Sequence, residues 1–391
     1  MKLADILAIL RRLAPESLAE PWDRVGLQVG SEDQPVRRAM LCIDLTEPVL
    51  AEALRQRADL VVAYHPPIFK PLAALTDADF KQRIIRQAIQ AGVAIYSPHT
   101  ALDAAAGGIN DWLCESVLPG VVEAVSSAEK GALAKGGAVR AIRPIAPAEG
   151  RRPYKLVTFV PPSHLDTVRS ALCQAGAGRI GDYTDCSFSV EGEGTFRGGQ
   201  TTQPTIGQRG RLERVTERRL ETIVPAQRLA EVVAALMKAH PYEEPAFDLI
   251  RLALPPSQGG EGVGQGRVVT LDRPISLQAL IQRLKAHLGV PRLEVAHADK
   301  SRPIKKIGFC AGAGGSLLGE AGPLDAYVTG EMRHHEVLEA AARGTVIVLA
   351  GHTQTERPYL PLYRKRIEAQ GGGRGVRWAI SRRDRPPSSL R

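Results

Sequence analysis

Apolar and polar positions divide the chain into three stretches. At the start, Leu3, Ile6, Leu7, Leu10 and Leu13 recur at helical spacing and predict an amphipathic helix over residues 3–13. With no small-residue cleavage site beside it, this segment is not read as a signal peptide. Short apolar runs at 39–43, 60–63 and 93–96 then alternate with helical patterns at 48–57, 80–91 and 109–117. That alternation predicts an α/β layer structure with parallel strands.

The pattern changes after a Pro/Arg-rich stretch at 143–153, which reads as a linker. Strands are expected at 154–160, 181–190, 217–224 and 246–254, helices at 163–175 and 226–240, and a Gly/Thr/Gln/Pro-rich loop over 191–208. The order is βαββαβ, the ferredoxin-like pattern. A second linker, 255–266, is Gly-rich, and the α/β alternation resumes after it. Strands are expected at 268–271, 304–310, 326–328, 346–350 and 376–380, and helices at 277–288 and 358–370. The expected architecture is one α/β domain built from residues 1–148 and 255–391, with a ferredoxin-like domain inserted at 150–254.

Composition narrows the class. Apolar residues make up 44% of the 391 positions, enough for a sizeable core, yet no apolar run approaches the roughly 20 residues of a membrane span. Cys42, Cys114, Cys173, Cys186 and Cys310 are dispersed without a C-x-x-C pair. They read as reduced thiols in a cytoplasmic protein and argue against a cysteine zinc site. The formal charge of +9 reads as an Arg-rich solvated surface, because the basic residues lack interleaved aromatics of the kind that stack bases. Neither a membrane nor a nucleic-acid partner is expected.

Candidate chemistry lies in four short segments, which hold His65, His99, His334 with His335, and His352. His65 follows the run 60–63 and is stiffened by Pro66-Pro67. Asp103 lies four residues after His99, behind another strand, and reads equally well as a ligand or a loop cap. His352 and Glu356 are spaced i,i+4, which on a helix places their Cβ atoms roughly 5–6 Å apart. An exposed surface pair has the same spacing, but the position after a strand favours a site, since α/β sheets bind ligands at the carboxyl ends of their strands. Imidazole with carboxylate suits Zn, Mn, Fe, Co or Ni. The Gly312–Ser316 turn offers backbone N–H groups to a phosphate or simply a tight strand-to-helix turn, and it matches neither dinucleotide nor P-loop patterns.

Several motifs resemble the Nif-three-like proteins, often called the type 2 variety of GTP cyclohydrolase I. These are Trp22-Asp23-Arg24-Val25-Gly26-Leu27-Gln28-Val29-Gly30, Tyr64-His65-Pro66, His99-Thr100 with Asp103, Asp325-Ala326-Tyr327-Val328-Thr329-Gly330-Glu331, and Gly351-His352 with Glu356. The middle block resembles a PII- or CutA-like domain through Gly178-Arg179-Ile180-Gly181-Asp182-Tyr183 and His240-Pro241-Tyr242-Glu243-Glu244-Pro245. The resemblance implies a homohexamer with two divalent ions per site. It places metal ligands at His65, Asp103, His352 and Glu356, with Glu356 as the bridge. Many members of that family carry a second His where this chain has Tyr64, so one ion is expected to be weaker.

Two functional expectations follow. One is a metal-dependent hydrolase for a nucleotide or phosphoester, with His99 and His335 as proton-transfer or ligand-supporting candidates. The alternative is a metal-binding scaffold or regulatory protein without turnover.

Overall fold

The computed structural model describes residues 1–126, 136–145, 153–180, 183–252, 263–297 and 302–387. The chain divides into two compact units, one of Met1–Ile145 with Ser257–Arg391 and the other of Ala146–Pro256.

In the first unit, strands β1 (Gly26–Val29), β2 (Arg38–Cys42), β3 (Leu60–Ala63) and β4 (Ala94–Ser97) form a sheet that also takes the last strand of the chain, Arg377–Ile380. Its order runs β1, β4, β3, β2 and then that last strand, all parallel except β1. β3 reads Leu-Val-Val-Ala and is buried along its whole length, as a strand covered on both faces must be. Helix Leu3–Leu13 begins and ends where its periodicity predicts and buries Leu3, Ile6, Leu7, Ile9, Leu10 and Leu13.

Strand β5 (Gly137–Pro144) completes the N-terminal part of this unit. The second unit contributes β6 (Tyr154–Val160), β7 (Ser187–Arg197), β8 (Leu212–Val224) and β9 (Phe247–Arg251). The first unit then resumes with β10 (Gly264–Ile275), β11 (Glu294–Ala296), β12 (Ile304–Ala313), β13 (Ala326–Glu331), β14 (Val346–Leu349) and β15 (Arg377–Ile380). Its second sheet has the order β11-β14-β13-β12-β10-β5, parallel from β12 to β14 and antiparallel elsewhere. Two pairings join the distant chain segments: β15 lies beside β2, and β5 beside β10.

Within the second unit, helices Leu165–Gln174 and Leu229–Ala239 alternate with strands in the order βαββαβ, and the antiparallel sheet runs β7-β8-β6-β9. Leu156, Val160, Leu220 and Val224 pack with Val168, Leu172, Val232 and Leu236 in a core of its own.

The differences from the sequence reading have local causes. The first part of the expected 191–208 loop, up to Arg197, is strand, because β7 runs on to Arg197 and pairs with β8 back to Leu212. Its Gly192 and Gly194 sit within the ladder, where the sequence looked like a loop. Strands β1, β5 and β11 were not expected, and β10 begins at Gly264, inside the expected linker. The helix expected over 358–370 is Leu360–Ile367 followed by a wider turn containing Gly371 at φ 94°. Residues 146–152, 181–182 and 253–262, on which parts of both linkers and two expected strands fall, lie outside the described residues.

Candidate metal centre

The site is built at the carboxyl ends of parallel strands. His65 stands just past β3, Asp44 past β2, Glu331 at the end of β13 and His352 past β14. The backbone N–H of His65 donates to the Ile43 carbonyl at 3.0 Å, continuing the β2–β3 ladder into the turn. His65 Nδ1 is 2.9 Å from Asp44 Oδ1, which turns Nε2 toward Glu356 Oε1 at 3.6 Å. His352 is held in the same manner, with Nδ1 3.0 Å from Glu331 Oε1 and Nε2 3.1 Å from Glu356 Oε1. Gly351, at φ 87°, makes the turn that brings His352 onto the short helix His352–Glu356.

One ligand atom each from His65, His352 and Glu356 lies within 4.8 Å of the other two. Glu356 is only 2% exposed, and its Oε2 has no hydrogen-bond partner among the described residues. A buried carboxylate oxygen left without a donor is costly unless a cation meets it. Space is kept for one: Gly312, at φ 62°, lies where a Cβ would come within 2.6 Å of Glu356 Oε1 and 3.1 Å of His352 Nε2. Two imidazoles and a carboxylate therefore fit a divalent cation in chemistry, spacing and room.

The electrostatics agree. Burial works against charge on His65, but its hydrogen bonds to Asp44 and Glu356 outweigh that and raise its pKa to about 10. The hydrogen bond to Glu356 does most to raise His352 to about 9. Burial pushes Glu356 upward, yet the two imidazoles bring it below the usual carboxylate value. The centre thus keeps a carboxylate ionised while nearly excluded from water.

Asp103, on helix His99–Ala104, lies outside this three-donor group. Its carboxylate accepts the hydroxyl of Tyr64, which is buried at the end of β3. Burial raises Asp103 to about 6 and holds the Tyr64 phenol well above its ordinary value. Tyr64 therefore stands beside the centre as a hydrogen-bond donor to Asp103.

His99 is also close, its ring centroid 5.4 Å from that of His65. It occupies a rare backbone conformation for a non-glycine residue, φ 28°. Its Nδ1 is 2.7 Å from Asp23 Oδ1, while Asp23 Oδ2 accepts the Thr100 N–H at 3.1 Å and its hydroxyl at 2.5 Å. His335 is not brought to this group: it is exposed on helix His334–Ala342, its ring 5.5 Å from that of His334. The Gly312–Ser316 segment makes a strand-to-helix turn, with the Gly314 N–H given to Thr329 Oγ1 at 3.0 Å.

Sequence reasoning did not single out Asp44, Glu331 and Asp23 as partners of the histidines. Asp44 and Glu331 sit at strand ends, like the histidines they orient, and that placement was the available signal. Asp23 has no such signal, because its partner His99 is 76 positions away.

Fold and site together define an α/β protein with a histidine–carboxylate centre at the carboxyl ends of its strands. The chain belongs to the Duf34/NIF3 (NGG1p interacting factor 3) family, whose model matches residues 1–387. It is 36% identical over 357 residues to the "GTP cyclohydrolase 1 type 2 homolog" of Halalkalibacterium halodurans, covering 90% of this chain and 89% of that relative. It is 33% identical over 400 residues to "NIF3-like protein 1" of Bos taurus, covering 99% and 92%. A crystal structure of a Bacillus cereus protein related to NIF3 aligns over 100% of this chain and 99% of its own, at a TM-score of 0.70 and 31% identity.

Proposed function

We propose that the chain is a divalent-metal-dependent hydrolase acting on a nucleotide, such as GTP, or on a phosphoester. The observation that carries this reading is the trio His65, His352 and Glu356, with an unpartnered buried oxygen on Glu356. His65, His352 and Glu356 would hold one ion, and Asp103 with the shared Glu356 would serve a second. Zn, Mn, Fe, Co and Ni all match this donor set. When bound, such an ion supplies Lewis acidity and lowers the pKa of water.

The protein's own groups set the geometry. The carboxylates of Asp44 and Glu331 can only accept, so each fixes the proton on Nδ1 of its histidine and leaves Nε2 as the ligand nitrogen. Asp23 holds His99 in the same tautomer beside the centre, where its Nε2 can take up or deliver a proton. Metal-loaded protein is expected to turn over at least one member of a nucleotide and phosphoester panel, and His352→Ala to abolish that turnover. No turnover across the panel, or full turnover in His352→Ala, would refute the reading.

One observation favours a second reading, a metal-binding scaffold without turnover. Asp103 is already engaged by the Tyr64 hydroxyl, which leaves the second position poorly served. Under either reading the assembly is a cytoplasmic homohexamer, and residues 150–254 are an inserted ferredoxin-like domain of the PII/CutA kind. The βαββαβ order and the sheet order β7-β8-β6-β9 support that assignment.

A further inference from the structure

Beside the centre the protein displays aromatic surface. Trp22 is 57% exposed and Phe69 is 37% exposed, whereas the other two tryptophans, Trp112 and Trp378, are buried. Trp22 makes a T-shaped contact with Phe69, ring centroids 6.1 Å apart, and another with His99 at 6.2 Å. His99 in turn meets His65 at 5.4 Å, and His65 meets His352 at 5.4 Å. A continuous series of rings therefore leads from solvent to the ligand histidines.

The segments that carry the two exposed rings are tied together by side-chain-to-backbone bonds. Gln28 bridges their segments: its side-chain oxygen accepts the Ile68 N–H at 2.9 Å, and its amide donates to the Arg24 carbonyl at 2.8 Å. Asp23, next to Trp22, is fixed by His99 and Thr100, and its Oδ1 also accepts the Arg24 N–H at 2.7 Å. Phe69 follows the Pro66-Pro67 turn that positions His65. The same short loops thus fix both the metal donors and the aromatic rim. An indole more than half exposed beside a polar centre offers apolar ring surface to solvent, the kind of surface on which planar rings stack.

We propose that Trp22, with Phe69 beside it, is a binding subsite for a planar heteroaromatic ring, so that the substrate is a base-bearing nucleotide rather than a simple phosphoester. This rests on the proposed function, because the ring subsite is assigned to the substrate of the metal centre. Its chemistry is separate, since Trp22 and Phe69 ligate nothing. A base against Trp22 would lie next to His99, whose Asp23-held imidazole could exchange a proton with a ring nitrogen or exocyclic group.

The test uses the full-length protein, since Trp22 is the one tryptophan open to acrylamide. Guanosine 5′-monophosphate is expected to change Trp22 emission and to shield it from acrylamide, while ribose 5-phosphate does neither. Trp22→Ala should weaken binding of guanosine 5′-monophosphate, read by equilibrium dialysis, by about fivefold to a hundredfold. Trp22→Phe should restore most of it, with metal content unchanged in both variants. Equal binding of the two ligands, no binding of either, or unaltered affinity in Trp22→Ala would overturn the proposal. So would a Trp22 already shielded in the ligand-free protein, which would place a second copy of the chain on the rim. Turnover measured on the same metal-loaded samples separates the two ideas: ring binding with no turnover would sink the hydrolase reading and leave the subsite standing.

Discussion

At the scale of single residues, a metal bound at the proposed centre would be coupled to protons. With pKa values near 10 and 9, His65 and His352 are protonated at neutral pH in the metal-free protein. Metal can bind only to their neutral forms, so binding must expel protons and its affinity must rise as pH increases from about 6 to about 9. Calorimetric titration in buffers of different ionisation enthalpy should show proton release, and affinity independent of pH would contradict the assignment. Tyr64 gives a second residue-scale expectation. A phenol with a raised pKa that donates to Asp103 is a poor ligand, so Tyr64→His should add or tighten a second ion while leaving the first unchanged. Identical stoichiometry and affinity in the two proteins would show that Tyr64 does not limit the site.

At the scale of elements, the loops around the centre are anchored by one buried ion pair. Arg267 on β10 and Asp111 on helix Ile109–Cys114 are both fully buried, with Nε–Oδ1 at 2.5 Å and Nη2–Oδ2 at 3.0 Å. Arg267 also donates to the carbonyls of Ala104 and Ala105, at the end of the helix that carries His99 and Asp103. Removing one partner leaves the other charged and unpaired, so Arg267→Met should cost about 3–5 kcal/mol in urea unfolding. Replacing both residues with apolar ones should cost less than the single change, and a neutral Arg267→Met would show that the pair does not anchor these loops. Nothing in the sequence pointed to this pair, because its members are 156 positions apart and each looks like an ordinary surface charge. Elements whose periodicity is self-contained were legible to the residue, as in Leu3–Leu13 and Leu277–Leu288. Strands such as β5 and β1, whose burial depends on partners elsewhere in the chain, were not. His65 and His352 were singled out because each follows an apolar run, and Glu356 because it stands four residues after His352; the structure brings the three together. Their orienting carboxylates were missed because only tertiary structure brings them into contact.

At the scale of the whole molecule, residues 150–254 hold a core and a complete sheet of their own. That fragment is expected to fold when excised, with a cooperative thermal transition, and its deletion should leave metal binding intact. A fragment that stays unfolded would argue against an inserted domain. Light scattering should give six chain masses for the assembly, and a monomer at working concentration would remove the hexamer from the account. Whether His65, His352 and Glu356 hold a divalent cation is decided by anomalous diffraction from crystals grown with Zn or Mn, collected on either side of the metal edge. A peak is expected within ligand distance of His65 Nε2, His352 Nε2 and Glu356, lost in Glu356→Gln. A metal-replete crystal with no anomalous density at that position would contradict it.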